Sequence, residues 1–118
     1  MATMMALVLA LAGFGAADAV PLAGDYQVIQ RGADNTGACF VPFGLDVPAG
    51  AMLKFSVTRY GRPVTSGEKK VDAALSKDQA GVDVAGLKPG GPYCIDATAT
   101  NANGAIAARA KFDNILVG

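Results

Sequence analysis

Residues Leu87 to Thr100, LKPGGPYCIDATAT, constrain the fold more than any other stretch of the chain. Pro89 fixes φ and Gly90-Gly91 accept positive φ at little steric cost, so the segment opens as a tight turn. From Tyr93 onward the side chains alternate. Tyr93, Ile95, Ala97 and Ala99 point one way, while Cys94, Asp96, Thr98 and Thr100 point the other. A period of two with one apolar side describes a strand that buries a single face.

Other segments repeat that pattern. Asp25 to Arg31 reads as a first strand. Cys39 to Val47 places Cys39, Val41, Phe43, Leu45 and Val47 on one face; Pro42 has no ladder donor, which puts this strand at an edge or gives it a bulge. Leu53 to Tyr60 alternates most cleanly, with Leu53, Phe55 and Val57 inward and Lys54, Ser56 and Thr58 outward. After a turn at Tyr60–Pro63, the residues from Glu68 to Val71 are expected to pair nearby. Ala73 to Asp78 has some helical tendency and is read as a crossing loop. Gly81 to Ala85 turns Val82 and Val84 inward. Asn101–Gly104 carries the Asn-Gly signal of a hairpin with positive φ at both central residues, and Ala105 to Phe112 returns as the last strand. About seven strands with regularly spaced turns predict an all-β fold, an antiparallel β-sandwich. At 118 residues and 52% apolar content the chain is one domain with a modest core.

The pattern Leu87-x-Pro89-Gly90-x-x-Tyr93 resembles the corner that enters the sixth strand of fibronectin type III domains. The following strand and the Asn101–Gly104 turn are also similar to that family. The resemblance covers about a quarter of the chain, from Val82 to Phe112. It implies an immunoglobulin-like sandwich in which Leu87, Pro89, Gly90 and Tyr93 form a structural corner, the tyrosine hydroxyl bonding back to the corner backbone. It also implies a non-catalytic binding or spacer module with no specific ligand. The core tryptophan of that family is absent here and two cysteines are present, so the other relative is a seven-stranded immunoglobulin-like domain with a disulfide between its sheets.

The only cysteines are Cys39 and Cys94. An even count in an exported chain favours a disulfide, and closing a loop of about 55 residues would stabilise the fold by roughly 4 kcal/mol. Alternation works against it. If Tyr93 faces in, Cys94 faces out, whereas Cys39 shares a side with Val41 and Phe43. A bridge then requires a bulge, at Pro42 or at Pro92. The other reading is two reduced thiols in a chain that is never exported.

Met4 to Ala12 is an apolar run too short to span a bilayer, and Ala17-Asp18-Ala19 has the A-x-A form of a leader cleavage site. Residues 1–19 are thus expected to be a signal peptide and residues 20–118 the folded domain, secreted, periplasmic or at the cell surface, with no membrane span once the leader is removed. No Lys or Arg precedes the run, so an apolar segment that stays on the chain is the competing reading.

Composition excludes several activities. Ten basic residues balance ten acidic ones, which gives no electrostatic case for nucleic acid. The chain has no histidine, hence no Ser-His-Asp triad and none of the commonest metal ligand. Ser66-Gly67-Glu68-Lys69 matches the S-x-x-K of serine acyltransferases, but the companion S-D-N and K-T-G motifs are missing. Gly32 to Gly37 is a turn whose Asp34 and Asn35 read as Asx-turn residues rather than calcium ligands, because no regular series of oxygen donors follows. No stretch nominates a cofactor or a catalytic pair of carboxylates.

One tip stands out. Arg59, Tyr60 and Arg62 place a ring and two guanidinium groups on one turn, the residue types that dominate interface hot spots. A plain solvated hairpin is the competing reading. The expectation for function is a non-enzymatic exported module that contacts a protein or glycan. The alternative is a structural subunit of an extracellular filament or virus particle, assembled from copies of itself with the N-terminal segment retained.

Overall fold

A computed structural model describes residues 19–118. The expected leader, residues 1–19, lies outside the described residues apart from Ala19. The described chain forms eight strands and no helix: β1 (Val20–Pro21), β2 (Gln27–Ile29), β3 (Gly37–Pro42), β4 (Met52–Arg59), β5 (Arg62–Lys70), β6 (Gly81–Leu87), β7 (Gly90–Thr100) and β8 (Ile106–Val117). They make two facing sheets, one of three strands in the order β1-β3-β6 and one of five in the order β2-β8-β7-β4-β5. The fold is an all-β sandwich, as the alternation predicts.

The sheets are mixed rather than purely antiparallel. β1 runs parallel to β3, and β2 runs parallel to β8. The expected first strand, Asp25–Arg31, is pared down to Gln27–Ile29. The chain before it contributes a separate two-residue strand to the opposite sheet. The N-terminal stretch therefore serves both sheets in turn, and neither piece is long enough to show a period of two.

β7 is the spine of the larger sheet. Tyr93, Ile95, Ala97 and Ala99 are all buried, in register with Arg59, Val57, Phe55 and Leu53 of β4. On the other side Ile95, Ala97 and Ala99 meet Phe112, Ala110 and Ala108 of β8. The three-stranded sheet closes the core with Cys39, Val41, Val82, Val84 and Leu87. The small alanines of β7 and β8 let the two sheets approach, while Phe55 and Phe112 fill the flanks.

Two details of β3 depart from expectation. The strand stops at Pro42, and Phe43 and Val47 are buried beyond it while Leu45 is 44% exposed. Val47 instead makes an isolated bridge with Leu75. β3 is also the central strand of its sheet. Pro42 is tolerated there because β1 pairs only with Cys39 and Phe40, leaving the Pro42 nitrogen side without a partner strand.

The 73–78 segment forms no helix, in keeping with a crossing loop. In the Asn101–Gly104 turn only Gly104 has positive φ, at 92°. Gly104 N–H donates to Asn101 O at 2.9 Å and Asn101 N–H to Ala105 O at 2.7 Å, the pattern of a three-residue loop ending in a left-handed residue. Asn103 Oδ1 accepts from Ala105 N–H at 3.0 Å, which holds Asn103 out of the left-handed region expected for a two-residue turn.

Two glycines are required by close contacts. A Cβ on Gly81 would lie 2.4 Å from Val41 O and 2.5 Å from Phe40 Cζ; one on Gly67 would lie 2.7 Å from Phe55 Cε1. In each case a phenyl ring covers bare backbone on the neighbouring strand. The contact at Gly81 is with backbone and cannot be relieved by a side-chain rotation. Gly81→Ala is therefore expected to destabilise by about 1–3 kcal/mol, and Gly67→Ala by less because the Phe55 ring can swing away. Tyr93→Phe, which removes the corner hydroxyl described below, is expected to cost about 1 kcal/mol, a fall in Tm of about 4–8 °C. Thermal melts of the three variants check the order.

Candidate functional site

The corner residues expected from the sequence come together. Leu87 ends β6 buried, Pro89 and Gly90 make the turn, and Tyr93 is 2% exposed. The Tyr93 hydroxyl donates to Lys88 O at 2.7 Å, tying the start of β7 to the end of β6. A Cβ on Gly91 would lie 2.7 Å from Ile115 O, and its φ is 133°, so only glycine lets β8 approach this turn.

The corner carries the tip. Arg59 pairs with Tyr93 on one side and with Arg62 on the other. Between Arg59 and Arg62 lie only Tyr60 at φ 52° and Gly61 at φ 77°. Positive φ at both central residues makes this a two-residue hairpin turn matched to the twist of its strands. Gly61 adopts it freely. Tyr60 does not: a bulky side chain in the left-handed region costs about 1–2 kcal/mol.

The Arg59 guanidinium lies 5.8 Å from the Tyr60 ring centroid and 6.0 Å from that of Tyr93. It also sits over Gly90, where a Cβ would come within 3.5 Å of Nη2. The two rings, one buried and one 75% exposed, thus fix the direction of the arginine. Arg59, Tyr60, Arg62 and Val64 line a shallow open groove at this end of the molecule. Arg59, Tyr60 and Arg62 are the residues singled out by their type in the sequence; Val64, 45% exposed, joins them only through the pairing of β5 with β4.

A second shallow trough runs across the outer face of the five-stranded sheet, lined by Lys54, Ser56, Ser66, Glu68, Asp96 and Thr98. Lys54 Nζ and Glu68 Oε1 face each other across β4 and β5 at 3.9 Å, both exposed. Within this strand, Ser66 is opposite Ser56 and Lys69 opposite Leu53, so Ser66 and Lys69 point to opposite faces. The S-x-x-K spacing therefore does not bring hydroxyl and amine together.

Asp34 behaves as an Asx-turn residue. Its carboxylate accepts from the Thr36 hydroxyl at 2.8 Å and from Thr36 N–H at 3.1 Å. These bonds, the hydroxyl first, hold its pKa below the usual carboxylate range. Among the described residues no three His, Cys, Asp or Glu side chains are grouped to hold a metal ion.

The expected Cys39–Cys94 disulfide is not formed; both are free thiols. Cys39 points from β3 into the core and is fully buried, whereas Cys94 alternates with Tyr93 and Ile95 and lies on the outer face of β7. The larger sheet itself stands between the two sulfurs. Register shifts do occur around Tyr93 in the β7–β8 pairing, but they do not turn Cys94 inward. Burial, and the nearby Asp83 charge, push the Cys39 thiol up to about 12. Burial and then the Asp113 carboxylate also raise Cys94.

Comparison with protein-family models and with curated proteins finds no match. Among the described residues no helix is long and apolar enough to cross a membrane.

The Cys39 shift has a pH consequence. Its thiol holds its proton longer folded than unfolded, so the contribution to stability is complete below the ordinary thiol pKa of 9.0 and is lost as pH rises toward about 12. Stability is expected to fall across that window by up to about 1.4 kcal/mol per pH unit, and Cys39→Ala should flatten the fall. Urea titrations between neutral and strongly alkaline pH measure it. In the native protein Cys39 should resist alkylation until the chain unfolds.

Proposed function

We propose that this chain is a non-catalytic, immunoglobulin-like module, akin to fibronectin type III domains, that works by surface contact through the Arg59–Arg62 tip. The observation that carries the reading is Tyr60. It is the most exposed large apolar side chain among the described residues, and it is held in a backbone conformation that a bulky residue adopts only at a cost. Folding alone gives no reason for a tyrosine there; asparagine or glycine would make the same turn without strain. An exposed ring flanked by two arginines, one of them fixed by stacking, has the make-up of an interface hot spot.

The immunoglobulin-like assignment rests on the Tyr93–Lys88 hydrogen bond and on the three-plus-five division of the strands. The absence of histidine from the whole sequence favours contact over catalysis. Export rests on the apolar run and the Ala17-Asp18-Ala19 site in the sequence. A mature mass beginning at Val20 in protein from the native source would support it, and a full-length mass would overturn it.

The tip is tested by probing arrays of extracellular proteins and glycans with the wild type and with Tyr60→Asn and Arg62→Ala. Asparagine tolerates the left-handed turn, so Tyr60→Asn removes the ring without adding strain. Each variant is expected to lose about tenfold or more in affinity for whatever the wild type binds, with no loss in Tm. Unchanged affinity in both variants would remove the tip from the contact surface.

A further inference from the structure

The connections between strands alternate between the two ends of the sandwich. Gly37 pairs with Leu87, Arg59 with Tyr93 and Gly90 with Val117, which puts the 30–36, 60–61 and 88–89 connections at one end. Pro42 pairs with Gly81, Met52 with Lys70 and Thr100 with Ile106, which puts the 43–51, 71–80 and 101–105 connections at the other.

The formal charges of a chain that is neutral overall divide along this axis. The first end holds Arg31, Arg59, Arg62 and Lys88 against Asp34. Asp34 is engaged by Thr36, as Asp46 at the other end is by Lys77 N–H. The second end holds Asp46, Asp72 and Asp78 against Lys70 and Lys77. Among the described residues the ion pair between Lys54 and Glu68, on the face of the sheet, includes none of the residues at either end. Arg59 and Arg62 are direct cross-strand partners, and like charges so placed are destabilising. Among the described residues neither guanidinium forms an ion pair with a carboxylate.

The acidic end is built as a firm surface. Val47 and Leu75 exchange backbone hydrogen bonds at 2.9 and 2.8 Å, Val71 N–H donates to Ala51 O at 2.8 Å, and Lys77 N–H donates to Asp46 Oδ1 at 2.8 Å. These bonds join the 43–51 and 71–80 connections into one platform. Besides its three exposed carboxylates and the Lys70 and Lys77 ammonium groups, which leave it one negative charge in excess, the platform shows Leu45, Pro48, Ala49, Ala73 and Ala74 to solvent. It offers small apolar side chains for a tyrosine ring and carboxylates for two guanidinium groups.

We propose that the Arg59–Arg62 tip of one copy of this chain docks on the Asp46, Asp72 and Asp78 platform of the next, so that copies associate head to tail. The inference rests on reading the tip as a contact surface and names its partner as a second copy. Because tip and platform are different surfaces at opposite ends, the contact is heterologous. It propagates into an open filament unless rotation closes a ring. Zero net charge removes long-range repulsion between copies.

The test is sedimentation of the full chain over a concentration series at about 0.01 M and about 1 M salt, where the screening length falls from about 30 to about 3 Å. Association that grows with concentration at low salt and is lost at high salt is expected. Arg62→Glu and Asp72→Lys should each weaken it by about tenfold or more, and an equimolar mixture of the two should restore it, because each variant then meets a complementary end. Association that is insensitive to salt and to both reversals overturns the proposal and points to the apolar N-terminal residues instead. A chain that stays monomeric at low salt also overturns it; the tip as a contact surface is then judged separately by Tyr60→Asn on other partners. Two variants that fail to re-associate on mixing would show that tip and platform do not meet.

Discussion

The hydrogen bond from the Tyr93 hydroxyl to Lys88 O is the constraint on which the rest depends. It joins the last residues of the smaller sheet to the first residues of the central strand of the larger one. The hydroxyl lets a tyrosine be buried at the point where the chain changes sheets, since its one polar atom is satisfied by a carbonyl that the turn leaves unpaired. With Tyr93 placed, the alternation of β7 is set, and β4 and β8 pair against it in a register that sends every inward side chain to the same core. The Tyr93 ring also underlies Arg59, so the corner that organises the fold orients the tip as well. Stability and the direction of the tip thus share one residue, and a change at Tyr93 acts on both.

Where a strand has one buried face and at least five residues, its period of two is visible in the sequence, and β4, β6 and β7 follow the expected faces. Legibility fails where tertiary pairing replaces alternation. Leu45 continues the pattern of Cys39, Val41 and Phe43 by spacing, yet the strand has already ended at Pro42 and Leu45 turns out to solvent. β5 was only partly visible because it is an edge strand exposed along nearly its whole length; with no buried face it has no pattern to show. Its Pro63, Lys69 and Lys70 are the residues that discourage further strand addition at that edge. The two parallel pairings of β1 and β2 rest on two and three residues, too few to carry any local signal.

The cysteines show the opposite case. Alternation alone places Cys94 on the solvent side of β7, and the structure keeps it there. Expectation from cysteine count pulled the other way. Geometry prevails because a bridge would have to pass through a sheet in which Cys94 lies between β4, its partner at Thr58, and β8. At the tip, composition revealed the ring and the two arginines, but not the left-handed tyrosine, since nothing in Arg-Tyr-Gly-Arg distinguishes a two-residue turn from a longer loop. The strain that singles out Tyr60 exists only once β4 and β5 are paired up to Arg59 and Arg62.

The polarity of the molecule was hidden for a related reason. Net charge is a sum over the chain, and the sum is zero. In a sandwich whose connections alternate ends, however, charges must be summed over every second connection. The 30–36, 60–61 and 88–89 segments, with their flanking strand ends, collect four basic residues against Asp34. The intervening 43–51 and 71–80 segments, with theirs, collect three acidic residues against Lys70 and Lys77. Neither set forms a run in the sequence, so no linear pattern of charge betrays it. Strand order converts a neutral chain into one with a basic, aromatic end and an opposite end where carboxylates outnumber lysines by one among small side chains. That conversion needs only the course of the chain back and forth between the two ends from β2 to β8. A surface of this kind is therefore a property of topology acting on sequence. It can be sought wherever antiparallel strands are known and loops are short, by reading alternate connections together.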